Sequence, residues 1–143
     1  MSDALKKAVD LLAYREHSCQ ELFNKLLRRG FVLDEVEAAI ERLQCEGLLS
    51  DERYAEHYVR YRASAGFGPL RILNELKQRG VSESLIDQVI WHSDIDWSAH
   101  CFAAWQKKYN KHERLGSKAF IAQSRFLMQR GYTQDTINGV LKV

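Results

Sequence analysis

The sequence lacks the long hydrophobic runs that a membrane-spanning or exported protein needs. No stretch of its 143 residues approaches the roughly 20 apolar residues of a transmembrane helix. The first residues, MSDALKK, lead into a run that polar residues interrupt, unlike the continuous apolar core of a signal peptide. Because 45% of the residues are nevertheless hydrophobic, we expect a folded, cytoplasmic protein with no membrane contact.

Cysteine is scarce and has no paired motif. The three cysteines, Cys19, Cys45 and Cys101, form no CxxC, and an odd number is not typical of a disulfide framework. Each is predicted to be a small buried side chain in a reducing compartment. The nearest approaches to a metal site, His17 with Cys19 and His100 with Cys101, lack the spacing of a zinc knuckle or of HExxH. We predict no metal and no cofactor.

Motifs of nucleophilic and nucleotide chemistry are also missing. The sequence contains no GxSxG nucleophile elbow and no GxxxxGK phosphate loop. The glycines of AGFG at 65–68 are explained by a turn that leads into Pro69, the single proline, at a first helical position. Adjacent carboxylates such as Asp51 and Glu52 lie at a predicted helix start, where the helix dipole accounts for them. We therefore predict that the protein is not an enzyme.

What the sequence does contain is one phrase repeated three times. It reads LLRRGF at 26–31, LKQRGV at 76–81 and LMQRGY at 127–132, so the glycines are 50 and 51 residues apart. Apolar residues also recur six and ten positions after each glycine, which keeps the register beyond the phrase itself. A period of this length is typical of stacked copies of one supersecondary unit.

Each copy is predicted to contain three helices. Ser18 and Glu21 form a capping box before the second helix, and Ser82 and Thr133 are placed to cap later helices. No segment shows the alternation of a strand pair. The sequence thus predicts an all-α fold of nine helices, in three tandem three-helix repeats that form an elongated, curved stack. The repeats are 1–48, 49–93 and 94–143, and the polar, basic segment 109–118 is predicted to be a mobile loop.

Two apolar stripes carry more specific predictions. Leu5, Val9, Leu12 and Ala13 recur at helical spacing and are predicted to form the buried face of the first helix. Tyrosines at 54, 58 and 61 recur at i, i+4 and i+7, a pattern that more often lies in a core than on a binding surface.

Charge is distributed unevenly along the chain. Residues 1–49 carry 7 basic and 9 acidic side chains, residues 50–95 carry 6 and 7, and residues 96–143 carry 8 and 3, for net charges of −2, −1 and +5. The positive last third indicates either an anionic partner or an ordinary solvated face. Basic residues beside aromatic ones can bind phosphates or an acidic protein groove.

The repeated phrase belongs to a wider set of matching segments. They are AYREHSCQELFNKLLRRGF at 13–31, GLLSDERYAEHYVRYR at 47–62, GFGPLRILNELKQRGV at 66–81, DIDW at 94–97 and RFLMQRGY at 125–132. With these segments in order over nearly the whole chain, the sequence resembles the RecX family of bacterial regulatory proteins, which modulate the RecA recombinase.

The resemblance implies a function and a set of partners. It implies a protein that binds in the helical groove of the RecA filament on DNA and inhibits the ATPase, strand exchange and co-protease activities of RecA. Recombination, DNA repair and the SOS response would be modulated in consequence. We also expect a monomer that contacts single-stranded or duplex DNA within the filament and has weak direct DNA binding. The alternative is a small helical module that acts on DNA directly, which would retard naked DNA with a steep salt dependence.

Together with the charge pattern, the resemblance gives a set of candidate partner-binding residues. They are the basic residues of the middle and last repeats: Arg60, Arg62, Arg71, Lys77, Arg79, Lys107, Lys108, Lys111, Arg125 and Arg130.

Overall fold

A computed structural model of the chain describes residues 1–109 and 116–142. Within those ranges it contains nine α-helices and no strand, which confirms the all-helical prediction. The helices are α1 (Asp3–Tyr14), α2 (Cys19–Arg28), α3 (Leu33–Cys45), α4 (Asp51–Ser64), α5 (Pro69–Gln78), α6 (Glu83–Trp91), α7 (Trp97–Tyr109), α8 (Ser117–Arg130) and α9 (Gln134–Leu141). The repeated Arg-Gly phrase lies at the C-terminal end of α2, α5 and α8, which are the second helices of the three groups.

The helix boundaries follow from local chemistry. The Ser18 hydroxyl accepts a hydrogen bond from the Glu21 N–H at 3.1 Å, and the Glu21 carboxylate accepts one from the Ser18 N–H at 3.1 Å, so the predicted capping box is present. Pro69 is the first residue of α5, as predicted. Ser82 and Thr133 each accept a hydrogen bond from the N–H three residues later, both at 3.3 Å.

The chain divides into two compact units that do not follow the helix groups. Unit 1 comprises residues 1–57 and 76–89, and unit 2 comprises residues 58–75 with the described residues from 90 onward. Helices α4 and α5 are each divided between the units. The core of unit 1 where α1, α2 and α3 pack contains Leu5, Ala8, Leu22, Leu26, Val36, Ala39, Leu43 and Leu49. The core of unit 2 formed by α7, α8 and α9 contains Cys101, Trp105, Leu127, Tyr132, Ile137, Val140 and Leu141.

Parts of the predicted apolar stripes were wrong. The buried face of α1 is Ala4, Leu5 and Ala8, whereas Val9 is 39% exposed, because the small alanines form the surface on which the neighbouring helices pack. In α4 the tyrosine stripe divides: position 54 is buried, position 58 is half-buried and position 61 is 70% exposed. Cys45 is exposed, contrary to prediction.

The predicted loop 109–118 is partly helical, because α7 extends through Tyr109 and α8 begins at Ser117. Residues 110–115, on which the prediction of mobility chiefly falls, lie outside the described residues. None of the helices described is both long and apolar enough to cross a bilayer.

Candidate partner-binding site

Three of the predicted basic residues surround one aromatic ring in unit 2. The turn between α4 and α5 places Phe67, whose N–H donates to the Arg62 carbonyl at 3.1 Å. The guanidinium carbons of Arg62, Arg71 and Arg130 lie 3.9, 4.5 and 4.7 Å from the centroid of the Phe67 ring. These distances are within cation–π range, so the ring offsets part of the repulsion between the three cations. We call Phe67 and these arginines the Phe67 cluster.

One carboxylate fixes part of the Phe67 cluster. Glu75 accepts two hydrogen bonds from Arg62, at 2.9 and 2.8 Å, and one from the Tyr58 hydroxyl at 2.9 Å. Burial acts to raise the pKa of Glu75, but hydrogen bonds from Arg62 and Tyr58 outweigh it and lower that pKa, so the carboxylate stays charged. The same hydrogen bonds raise the pKa of Arg62. The Arg62 side chain is only 19% exposed, whereas Arg71 is 46% exposed and is more available to a partner.

Backbone contacts hold Arg130 beside the ring. The Gly68 N–H donates to the Arg130 carbonyl at 2.7 Å, and the Leu70 N–H donates to the Gly131 carbonyl at 2.9 Å. Hydrogen bonds between backbone groups do not depend on side-chain rotamers, so the end of α8 is fixed against the start of α5. The Phe67 cluster is therefore preorganised.

A pocket of about 450 Å³ in unit 2 extends the basic surface. Phe126 contributes an aromatic wall, with the Lys108 ammonium 4.2 Å and the Arg130 guanidinium 5.3 Å from the centroid of its ring. The lining residues are Ala63, Ser64, Ala65, Gly66, His100, Ala103, Ala104, Lys107, Lys108, Phe126 and Arg130. Within residues 1–109 and 116–142 no acidic side chain lines this pocket, and a concave site with charges of one sign concentrates ions of the opposite sign. We call it the basic pocket.

The structure brings five of the ten predicted residues together. Arg62, Arg71 and Arg130 form the Phe67 cluster, and Lys107 and Lys108 share the basic pocket with Arg130.

Four further predicted residues lie outside this site, and the fifth lies outside the described residues. Arg60 is exposed on α4, and Arg125 lines a separate surface depression with apolar neighbours on α8. Lys77 and Arg79 belong to unit 1, where Lys77 lies 3.7 Å from a carboxylate oxygen of Glu83. Lys111 lies outside the described residues.

Sequence reasoning missed the aromatic and imidazole members of the site. Cationic groups lie over the rings of Phe67 and Phe126, and His100 lines the basic pocket. A signal for Phe67 was present, since an aromatic residue between two glycines ahead of a proline is held in a turn and cannot join a helix core. Phe126 gave no signal, because it lies within an ordinary helical pattern.

Two buried groups among the described residues are protonated at neutral pH. Burial raises the pKa of the Cys101 thiol to about 12, so it is not a thiolate at neutral pH, and burial likewise raises the pKa of the Tyr132 hydroxyl. No three His, Cys, Asp or Glu side chains of the described ranges are grouped to bind a metal ion.

The fold and the side chains described above define an all-helical protein with a cluster of basic side chains in unit 2. Sequence models of the first, second and third three-helix domains of RecX match residues 4–43, 50–90 and 94–141. Regulatory protein RecX of Pseudomonas entomophila (strain L48) is 43% identical over 136 residues, covering 95% of this chain and 88% of the relative. That of Ectopseudomonas mendocina (strain ymp) is 44% identical over 137 residues, covering 96% and 91%.

Solved structures agree with these sequence matches. The crystal structure of RecX from Lactobacillus salivarius superposes with a TM-score of 0.83, at 21% identity, over 97% of this chain and 92% of that one. The chain belongs to the RecX family of regulatory proteins. The predicted resemblance and the predicted architecture of three tandem three-helix repeats are thereby confirmed.

Proposed function

We propose that this chain regulates the RecA recombinase by binding in the helical groove of the RecA filament on DNA. In the cytoplasm it would inhibit the ATPase, strand exchange and co-protease activities of RecA, and so modulate recombination, DNA repair and the SOS response. Membership of a family of regulatory proteins supports a regulatory role without catalysis. The observation that carries the proposal is the convergence of basic side chains at the Phe67 cluster and the basic pocket.

The chemistry of this surface suits a nucleoprotein partner. Arginine binds carboxylates and phosphates with two parallel hydrogen bonds, and lysine binds either as a point charge. A filament presents these groups repeatedly, so several modest contacts along one groove add up to strong binding. A bound protein that bridges neighbouring protomers opposes the rearrangements that accompany ATP turnover, which is inhibition by a coupling free energy.

The proposed contacts fall into two groups. The central contacts are Arg71, Lys107, Lys108 and Arg130, because they are close together in unit 2. Arg71 also contacts Glu75, but through one nitrogen at 3.5 Å, whereas Arg62 is held by two hydrogen bonds at 2.9 and 2.8 Å. Arg62 is proposed to position the other two arginines through Phe67 and Glu75. The outer contacts are Arg60, Lys77, Arg79, Lys111 and Arg125.

The first test measures RecA ATP hydrolysis on single-stranded DNA while this protein is titrated in at substoichiometric amounts. A mobility-shift assay on the same DNA without RecA runs alongside. We expect strong inhibition at ratios too low to coat the DNA, because the protein acts on the filament. Inhibition that begins only when the DNA itself is saturated would instead favour the direct DNA-binding module.

The second test reverses charge at Lys107 and Lys108, with and without Lys111. We expect at least about a tenfold loss of inhibitory potency and a weaker salt dependence, since each lost cation–anion contact contributes about 1 kcal/mol or more. Lys6→Glu with Lys142→Glu is a control of equal charge change, because both side chains are exposed and outside the site. Equal losses in the two double variants would show that net charge, rather than the basic pocket, governs inhibition.

A further inference from the structure

The two aromatic rings of the Phe67 cluster and the basic pocket are covered by the protein's own cations. Three guanidinium carbons lie within 4.7 Å of the centre of the Phe67 ring. The Phe126 ring has the Lys108 ammonium at 4.2 Å and the Arg130 guanidinium at 5.3 Å, and the Tyr109 ring meets it edge-on with the centroids 5.8 Å apart. A base that stacks on an aromatic side chain needs the space over the ring. Because cations fill that space, neither ring serves as a stacking platform.

The same arrangement lacks the usual anchor of a protein partner. Interfaces between proteins are anchored by aromatic and apolar side chains that become buried, and charged residues are depleted at their centres. Here the aromatic rings lie under cations, and the rest of the described pocket lining is alanine, serine, glycine and histidine. A protein segment that carries carboxylates would gain charge contacts at this site but no exposed aromatic side chain to bury.

The site also has an excess of positive charge. Its charged members named above are five cations and one carboxylate, a net charge of +4: Arg62, Arg71, Lys107, Lys108, Arg130 and Glu75. Like charges that are held close together repel, and the rings offset only part of that repulsion. An anion with several charges would offset more of it, so the site favours a polyvalent ligand.

Arg130 connects the two halves of the site. Its guanidinium carbon lies 4.7 Å from the centre of the Phe67 ring and 5.3 Å from that of the Phe126 ring, so the ring centres are at most 10 Å apart. A nucleic-acid strand carries one phosphate for about every 3.4 Å of duplex axis, so a span of about 10 Å meets roughly three phosphates. Linked phosphates therefore supply negative charge at a spacing that suits this group of cations.

We propose that the Phe67 cluster and the basic pocket together bind a chain of linked phosphates without contact to bases, and that Phe67 and Phe126 are positioning residues that hold the cations. Two sources share this chemistry, the backbone of a nucleic-acid strand and a free polyphosphate. The inference rests on the proposed function for the choice of site, and it deepens that function by naming phosphates, rather than carboxylates of RecA, as the groups bound there. Its tests use the full chain without RecA, so they can fail while inhibition of RecA stands.

The first experiment compares fluorescently labelled octamers by anisotropy: oligo-dT, oligo-dA, an abasic strand and an octa-aspartate peptide. We expect the three strands to bind with Kd values within about threefold of one another, because the bases are not contacted. The peptide should bind at least about tenfold more weakly than the abasic strand. An abasic strand that binds about tenfold more weakly than oligo-dT, or a peptide that matches the abasic strand, would overturn the proposal.

Inorganic tripolyphosphate distinguishes the two sources of phosphate. If it displaces the abasic octamer, the site also takes a free polyphosphate. If the octamer binds and tripolyphosphate does not displace it, the ligand is the backbone of a nucleic-acid strand. No saturable binding of either anion below about 1 mM at low salt would refute a phosphate site.

The salt dependence of binding counts the phosphates that are contacted. Neutralising about three phosphates of a single strand gives a slope of about −2 for the logarithm of the binding constant against that of salt concentration. Lys107→Ala removes one exposed cation, so the slope should become shallower by about 0.7. Lys6→Ala, at an exposed lysine of unit 1, should leave the slope unchanged. A slope that Lys107→Ala does not alter would exclude the basic pocket from the contact.

Phe67→Leu tests the positioning role of the ring. Leucine keeps an apolar side chain but has no aromatic face, so the three guanidinium groups lose their common partner while the net charge stays the same. We expect at least about a fivefold loss of affinity for the abasic octamer with an unchanged salt slope, and Phe67→Tyr should stay within about twofold of the wild type. Phe120→Leu makes the same change at a half-buried ring outside the site and should have no effect on binding. Equal affinities of Phe67→Leu and Phe67→Tyr, with both variants folded by their unfolding curves, would refute this role.

Discussion

In each unit the first turn of one second helix lies against the Arg-Gly end of the next: α2 against the residues after α5 in unit 1, and α5 against the end of α8 in unit 2. We call this contact the repeat junction, and its two copies connect equivalent helices through different atoms. In unit 1 the Ser18 side chain reaches the Arg79 carbonyl. In unit 2 backbone N–H groups of Gly68 and Leu70 make the contacts, and a Cβ on Gly68 would lie 2.4 Å from the carbonyl carbon of Gly131. A side chain spans a wider gap than a backbone N–H does. Equivalent positions in a repeat protein therefore differ in what they tolerate, although the topology is the same.

The junctions also differ in what they support. The junction of unit 2 lies between Arg71 and Arg130, two members of the Phe67 cluster, so any change that separates α5 from α8 also separates the cations. The junction of unit 1 holds no such cluster. Stability and binding are thus coupled in unit 2, and the following substitutions measure how strongly.

Gly68→Ala should have the largest effect. The new Cβ would collide with backbone atoms of Gly131 and Tyr132 at 2.4 Å, and backbone cannot move aside as a side chain does. We expect the free energy of unfolding to fall by about 3 kcal/mol or more in urea titrations. Gly116→Ala is the matched control, because it changes another glycine that precedes a helix where a Cβ meets no described atom, and it should cost less than about 1 kcal/mol. Equal costs would show that the junction of unit 2 relaxes freely.

Gly131→Ala compared with Gly30→Ala should give the next largest effect. Both glycines have a positive φ, so both substitutions carry the strain of a left-handed alanine, about 1–2 kcal/mol. Only at Gly131 would the Cβ also lie 2.7 Å from the backbone nitrogen of Arg71. We expect Gly131→Ala to cost at least about 1 kcal/mol more in chemical denaturation. A difference near zero would mean that strain alone sets the cost and that the close contact adds nothing.

Ser18→Ala should have a moderate effect. The hydroxyl both caps α2, by accepting from the Glu21 N–H, and donates to the Arg79 carbonyl. Loss of the two hydrogen bonds should lower the free energy of unfolding by about 1–2 kcal/mol. Ser82→Ala removes only a helix-capping hydrogen bond, so it should lower the free energy of unfolding about half as much in the same thermal or urea measurement. If both cost the same, the bond to Arg79 contributes nothing to stability.

Much of the fold was predictable from the sequence because its signals are local. The capping box at Ser18, the proline that begins α5 and the repeated Arg-Gly phrase each act within one turn of chain, and the structure has them as predicted. The repeat boundaries at 48/49 and 93/94 stay predictions. The two compact units are divided at other points, within α4 and α5. The sequence shows where the basic residues are, but it does not show which of them lie close together in the fold.

What the sequence could not reveal depends on contacts between distant segments. Arg71 and Arg130 are 59 positions apart, and nothing local indicates that both lie over Phe67. Nor does residue type show that Gly68 lies against backbone while Gly116 is open, since both are simply glycines before a helix. The exposure of Val32 and Leu33 was missed for a related reason, because both continue an apolar pattern and only the structure shows them exposed.

Substitution of His17 should have the smallest effect on the free energy of unfolding, and that effect should depend on pH. It is buried directly before Ser18, with Nδ1 3.0 Å from the Arg15 carbonyl and Nε2 2.9 Å from the Lys25 ammonium. Burial, aided by the charges of Arg15 and Lys25, lowers the pKa of His17 below its ordinary value of 6.5. The neutral ring therefore donates from Nδ1 and accepts at Nε2, and a proton on Nε2 would face an ammonium group.

The sign of the pH dependence follows from that lowered pKa. Between the folded pKa of His17 and 6.5, the unfolded chain binds more protons than the folded one, so stability rises with pH in that window. The contribution is fully present above pH 6.5 and is lost as pH falls through the folded pKa. His17→Gln should flatten this part of a curve of unfolding free energy against pH, while His57→Gln, at an exposed residue, should leave it unchanged. The His17 imidazole lies directly beside the Ser18 cap, so the two side chains should be energetically coupled. The fall in unfolding free energy at low pH should therefore be smaller in Ser18→Ala than in the wild type. An equal fall would show that His17 is not coupled to the junction of unit 1.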